Sequence, residues 1–522
     1  MRTLLLILLF PALASAQTEK VTSVSNVGLN VTNFGTYGNA FRGYYDLTGN
    51  TSCEYPRNSG VEHVFEGGIW IGGLIDGTVT AVSTAAYDAS SGYFPGGEGF
   101  EMTAEVGEVL TERSTLFNSP YFSTDAVSHQ DYVADFTDAN VIIPGTSIPI
   151  QEHNNPMGLD IHFESYNWNF NFSDFYVILD YTITNNSTSY IDSMYIGLWT
   201  NTVVRNVNIT PAGQGGSSFY NKGANGYIDT LNMAYCYDAT GDPGFTESYI
   251  GQRFLGAEDE TGFYHPSLRP NFLTNYQAWI FNNSSDPIFF IPGNDNGRYQ
   301  KMTTGLNHST CWTQNFAQNP SCPALSYQEN LNNPGNRSDL VSVGPFDRLE
   351  PGETVKIAYA IVLAKKKEDG NPNTDNNPVQ QEFLVEHAQW AQTAYNGEDT
   401  NFNGVLDAGE DKDGDGEITR YILPEPPQTP VTKVISEKNA IDIYWSDNSE
   451  FSIDPITQEA DFAGFKLYMS SIGSDVVAED DLLESFNLIS QWDIIGDSLF
   501  FETGLESIRL DAPVYFDGDT SA

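Results

Sequence analysis

The chain has 522 residues, with 23 Lys and Arg against 69 Asp and Glu, for a formal net charge of −46. A field of that sign repels phosphate backbones and anionic lipid, which argues against nucleic acid and membrane surfaces as partners and favours cations, calcium among them. With 13% aromatic and only 18% charged residues, the composition also argues against intrinsic disorder.

The N-terminus reads MRTLLLILLFPALASAQ. One Arg, an apolar run from Leu4 to Leu13 and the small residues Ala14-Ser15-Ala16 have the order of a secretory signal peptide, so residues 1–16 are set apart from the fold. Their removal leaves 522 − 16 = 506 residues and, with Arg2 gone, a charge of 22 − 69 = −47. Residue 17 is Gln rather than Cys, which argues against a lipoprotein anchor there. No later stretch reaches the roughly 18 apolar residues of a membrane helix. The expectation is a secreted or cell-surface protein of more than one domain, with no membrane insertion.

From residue 17 to 376 the pattern is short alternating strands punctuated by Gly, Asn, Pro and Ser, which predicts β-sandwich material. Gly67 to Leu74, GGIWIGGL, reads as a buried strand. Cys53, Cys236, Cys311 and Cys322 are candidates for oxidation in an exported chain. Cys311 and Cys322 flank a Gln/Asn/Pro-rich loop and form the expected local pair; Cys53 and Cys236 are left to each other or stay free. No two cysteines have the C-x2-4-C spacing of a zinc site. Tyr166, Trp168, Phe170 and Phe172 alternate with Asn167, Asn169 and Asn171. Such a row is either a face buried between sheets, with the Asn residues wet, or a platform for sugar rings. Phe175 to Ile183 then alternates as a strand, Asn185-Asn186-Ser187 supplies a turn, and Tyr190 to Trp199 a second strand, which predicts a large antiparallel hairpin. Glu350 to Glu353 reads as a turn into a strand with Val355, Ile357, Tyr359, Ile361 and Leu363 on one face.

At residues 377–397 the period changes to that of a helix. Asn377 is the expected N-cap, Pro378 the first helical position, and Phe383, His387, Trp390 and Ala394 form one stripe before the stop at Asn396-Gly397. His387 on that stripe reads as a packing histidine.

Residues 398–422 hold the one stretch whose residue types and spacing together specify a chemistry. Asp399, Asn401, Asn403, Gly404, Val405, Asp407 and Glu410 fit positions 1, 3, 5, 6, 7, 9 and 12 of the calcium loop D-x-[DN]-x-[DN]-G-x5-E. A hard cation needs several oxygens at short range, and carboxylates alternating with small turn residues supply them from one segment; nothing here is soft enough for zinc or copper. Asp411, Asp413, Asp415 and Gly416 repeat positions 1, 3, 5 and 6, with Glu417 at position 7, but position 12 is Ile422 and the closing acid is missing. Pro424, Pro426 and Pro427 forbid a helix leading out, so a solitary structural clamp at a domain junction is expected rather than a paired sensor.

The last module, 423–522, opens on a Pro-rich lead-in, with strands at Ile441 to Trp445 and Gly464 to Tyr468. An early core Trp and a later Tyr-bearing strand resemble a fibronectin type III domain. Only five or six of its roughly seven strands can be found, so an open edge awaiting a partner strand, or self-association, is expected. Three stretches carry a wider resemblance: EYPRNSGVEHVFEGGIWIGG at 54–73, VGPFDRLEPGETVKIAYAIVLA at 343–364 and DFAGFKLYMSS at 461–471. They are similar to large secreted proteins of Bacteroidota and related phyla, many of them type IX secretion cargo. The resemblance implies a β-rich N-terminal region, an EF-hand-like calcium loop and a fibronectin type III module, and it implies no catalytic residue.

The seven histidines show no H-E-x-x-H, and there is no G-x-S-x-G elbow or P-loop. The reading is a calcium-stabilised, mainly β scaffold or adhesion-type binding protein without catalytic activity, with an extracellular protein or glycan as partner. The rival readings are a carbohydrate-binding protein and a secreted glycan-acting hydrolase.

Overall fold

The computed structural model describes residues 18–44, 49–87, 96–97, 99–104, 107–209, 217–241, 244–281, 283–367, 374–455, 459–460, 462–470, 486–496, 503–512 and 514–515. The expected signal peptide, residues 1–16, lies outside them. Among the described residues strand accounts for 38% and helix for 11%, which makes the protein mainly β. It divides into two compact units between Tyr395 and Asn396.

The N-terminal unit is built on two nine-stranded sheets. The first runs Glu19–Val21, Gly28–Thr32, Thr36–Tyr37, Val61–Ile75, Ile191–Asn206, Arg337–Gly344, Leu273–Ile280, with Cys53–Glu54 and Val79–Thr84 attached. The second runs Gly223–Ile228, Met233–Asp238, Ser248–Asp259, Thr354–Lys365, Tyr176–Asn185, Leu159–Asn167, Gln130–Thr137, Thr111–Arg113, with Gly262–Tyr264 attached. The long central strands are buried on both faces and therefore read as near-continuous apolar runs, as in Val61–Ile75 and Thr354–Lys365.

The sheets pack face to face. Tyr359 donates its hydroxyl to the Ile196 carbonyl across the gap at 3.0 Å, and the Tyr227 and Tyr276 rings stack at 5.0 Å. Asp339 lies between them, fully buried, accepting from the Tyr276 hydroxyl at 2.7 Å and the Asn225 amide at 2.6 Å. Burial pushes its carboxyl from 3.8 up to about 7. The folded protein therefore holds a proton that the unfolded chain releases, so this site's contribution is most favourable below the unfolded value and is lost as pH rises through 7. Relative to Asp339→Asn, which stays neutral, the wild type loses about 2 kcal/mol between pH 5 and pH 7. Urea unfolding of both proteins at the two pH values checks this; parallel stabilities refute it.

The helix Glu382–Asn396 covers the far face of the second sheet. Gly251 and Gly256 stand opposite Val362 and Ala358 in the register, and a Cβ at Gly256 would come within 2.6 Å of the Tyr395 ring. These small residues open a trough for the helix. Its buried stripe is Leu384, Ala388, Ala391, Ala394 and Tyr395, one step round from the expected one. Phe383 is exposed, while His387 and Trp390 lie half-buried on the rim, stacked on Phe175 and packed on Phe172. The His387 Nδ1 meets the Leu363 carbonyl at 2.7 Å, and burial lowers its pKa to about 4. The helix also starts later than expected: Asn377 caps Val379 and Gln380, but 378–381 are turn.

One further expectation is corrected. Tyr176–Asn185 and Ile191–Asn206 are not a hairpin, because the first belongs to the second sheet and the second to the first. The connection is an arch held by Asn185, whose amide donates to the Ser189 and Leu349 carbonyls while its oxygen accepts from Ser187. Of the two readings of the aromatic row, the buried face holds at Tyr166 and Trp168, with Phe170 and Phe172 half-buried and Asn169 and Asn171 exposed. The row's strand ends at Asn167, which is buried too, donating to Ser25 at 2.8 Å. Cys311 and Cys322 are joined by a disulfide, and Cys53 and Cys236 are buried free thiols.

In the C-terminal unit the described strands form two separate two-stranded sheets, Thr432–Glu437 with Ala440–Trp445 and Gly464–Ser470 with Phe486–Asp493. Trp445 holds them together, its ring 5.6 Å from both Phe465 and Trp492. Four strands are thus found among the described residues, against the five or six expected; 471–485, 497–502 and 516–522 lie outside them. Among the described residues no helix is long and apolar enough to cross a membrane.

Candidate metal centre

Asn396 to Leu423 folds into two consecutive twelve-residue loops with the same backbone. Positions 4, 6 and 11 take the left-handed conformation in both: Phe402, Gly404 and Gly409 in the first, Gly414, Gly416 and Tyr421 in the second. The repeat reaches the side chains. At position 5, Asn403 accepts from the Val405 N–H at 2.7 Å and Asp415 from the Glu417 N–H at 2.8 Å. At position 1, Asp399, fully buried, accepts from the N–H groups of Asn403 and Gly404, and Asp411 accepts from that of Gly414.

The closing acid of the first loop is Glu410. It accepts from the N–H groups of positions 2, 3 and 9, which are Thr400, Asn401 and Asp407, at 3.0, 3.4 and 3.0 Å. The second loop lacks an acid at Ile422, and Glu398 takes that place. It accepts from Lys412, Asp413 and Thr419, again positions 2, 3 and 9, at 2.6, 3.3 and 3.0 Å. The backbone agrees: Glu410 N–H donates to the carbonyl of position 9 in its loop at 3.1 Å, and Glu398 N–H to that of Thr419 at 3.0 Å. Carboxylate oxygens of Glu398, Asp411 and Asp413 lie within 4.8 Å of one another.

Glu398 is the residue that the loop pattern misses, since it stands upstream of the loop it completes. A signal was present: Gly397-Glu398-Asp399 recurs as Gly409-Glu410-Asp411, twelve residues on. Gly397 makes the exchange possible. It has φ +56, and a Cβ there would come within 2.2 Å of the Thr419 carbonyl oxygen. Both loops belong to the C-terminal unit, so the closure they make is internal to it.

The predicted residues gather as follows. Asp407 accepts from the side-chain amides of Asn401 and Asn403, each at 2.8 Å, and Glu410 also accepts from the Thr400 hydroxyl at 2.7 Å. These bonds hold both carboxyls below the usual range, through the Asn401 and Asn403 amides at Asp407 and first through the Thr400 hydroxyl at Glu410. Both are thus ionised, as a metal ligand must be. A cation entering the first loop requires the two Asn amides to turn their oxygens inward. Val405 has no side-chain donor atom, so that residue can offer only its carbonyl. In the second loop Asp413 also accepts from the Thr419 hydroxyl at 2.9 Å.

From Glu398 to Arg420 there are eight carboxylates against Lys412 and Arg420. Arg420 approaches Asp399 to 3.8 Å, partly offsetting a charge that would otherwise be costly to bury. Every donor set is oxygen, carboxylate or carbonyl, which fits a hard cation such as Ca²⁺ and not a soft transition metal. No family model matches the chain, and no curated protein matches it.

Proposed function

We propose that this is a secreted or cell-surface scaffold or adhesion-type binding protein, without catalytic activity, whose C-terminal unit is stabilised by two calcium ions. The observation that carries the reading is the repeated environment of Glu410 and Glu398: each meets positions 2, 3 and 9 of a loop, so the apparently incomplete second loop has its closing acid. The disulfide Cys311–Cys322 supports an oxidising compartment, as does the signal-like N-terminus. The resemblance to type IX secretion cargo and a fibronectin type III identity for the last module are part of this proposal.

Calcium binding to the folded loops, and not to the unfolded chain, stabilises the unit by mass action. At a calcium concentration about 100 times Kd one site contributes about 2.7 kcal/mol. Calorimetric titration of calcium into the chelator-stripped protein, with a melt at each end, is expected to give two ions and a raised transition. Glu410→Gln and Glu398→Gln should each remove one ion. Calcium that neither binds nor raises the transition defeats the proposal, and two ions persisting in Glu398→Gln defeats the second site alone.

A further inference from the structure

A cavity of about 320 Å³ opens in the N-terminal unit, lined by Thr80, by Glu152, Asn154 and Asn155, and by Gly293 to Asn296 with Arg298. Three separate segments thus bring carboxylates, carboxamides and one guanidinium to the same walls. Arg298 lies in the helix Asp295–Thr303, and Asn294 caps that helix by accepting from the Gly297 N–H at 3.0 Å.

Arg298 is the unusual member. It is 1% exposed, its Nη1 donates to the buried Glu101 at 2.7 Å, and its guanidinium carbon sits 4.5 Å from the centre of the Tyr87 ring. Nε and Nη2 have no hydrogen-bond partner among the described residues. A buried donor left unpaired is costly, so two on one side chain call for an acceptor. Nη2 is 4.0 Å from the Glu152 carboxylate. That is too long for a direct bond and short enough for one oxygen to bridge.

The chemistry of that oxygen follows from the charges around it. Glu101, Glu152 and Asp295 surround the single guanidinium, with His153 Nδ1 3.7 Å from Glu101. An anion entering the cavity meets an excess of carboxylate; a metal ion must sit beside a fixed positive charge. A hydroxyl meets neither objection, since it accepts from Nη2 while donating to Glu152. The exposed amides of Asn154, Asn155 and Asn296 can each donate and accept at the rim. We propose that this cavity binds a neutral polyol, one sugar ring of a glycan, with a hydroxyl bridging Arg298 and Glu152. The site is separate from the calcium loops, and its failure would leave the calcium reading untouched.

Saturation-transfer NMR on the full, calcium-loaded protein tests this with the methyl glycosides of glucose, galactose, mannose, xylose and fucose. Acetate and chloride, which leave calcium in solution, are added as competitors in a second arm. Transfer to at least one glycoside, undisturbed by either anion, is the expected result. Asn296→Ala, at the exposed rim, should weaken binding roughly tenfold, the worth of one or two hydrogen bonds. Arg298→Lys, checked for an unchanged melt, should weaken it further. The proposal is overturned if no glycoside shows transfer, if acetate or chloride displaces the glycoside, or if Asn296→Ala binds like wild type.

Discussion

Arg205→Met should lower the stability of the N-terminal unit by about 3–5 kcal/mol, the cost of leaving a buried charge without its partner. Arg205, in the first sheet, donates from Nη1 to Asp238, in the second, at 2.8 Å; the side chains are 1% and 0% exposed. Burial raises the Asp238 carboxyl, while the guanidinium and the Thr240 backbone and hydroxyl donors oppose that rise. Removing Arg205 withdraws the largest opposing influence. Breaking one partner and replacing the whole pair are physically different experiments. An apolar pair of similar volume avoids both desolvation penalties, so Arg205→Met/Asp238→Leu should recover most of the loss. Urea denaturation of wild type, both single variants and the double variant measures the coupling. If Arg205→Met costs under about 1 kcal/mol, the pair behaves like a surface ion pair and does not tie the sheets.

That the two sheets are tied by such a pair could not be read from the chain. Alternation in Val355, Ile357, Tyr359, Ile361 and Leu363 shows which side chains share a face, and the structure places them in one central strand. Alternation is silent on which strand lies alongside. Tyr176–Asn185 and Ile191–Asn206 are neighbours in sequence, which alone predicts a hairpin, yet Asn185 bonds its own arch and sends the chain to the other sheet. The helix stripe slipped by one position for a related reason. Phe383 and Trp390 carry the helical period in the sequence, whereas the trough lined by Gly251, Gly256 and Ala358 selects the small face with Ala388 and Ala391.

The first loop was legible because all its side chains lie within twelve consecutive residues. The second was half legible, since its closing acid arrives from the preceding repeat, and only the Gly-Glu-Asp recurrence records that exchange. The polar cavity around Arg298 was not legible at all. Thr80, Glu152 and Arg298 are far apart in the chain, and none has a spacing that announces a partner.

Trp168→Ala tests the buried reading of the aromatic row in solution, and a stability loss of about 3–5 kcal/mol is expected. Trp168 is 3% exposed, with ring centres 6.3 Å from Tyr166 and 6.2 Å from Tyr176, and Tyr166 and Tyr176 are themselves buried. Truncation would leave a cavity lined by aromatic faces, and the turn that follows Asn167 has no regular ladder with which to collapse into it. A sugar platform would behave in the opposite way: its loss would abolish glycan retention and leave unfolding unchanged. The position of the polar cavity sharpens the test, because none of its lining residues is in the row. At a temperature where Trp168→Ala remains folded, saturation transfer to the methyl glycosides should equal that of wild type. Asn296→Ala should show the reverse pattern, with weakened transfer and an unchanged melt. A Trp168→Ala protein that melts like wild type but no longer holds the glycoside would move the recognition surface from the Arg298 cavity to the aromatic row.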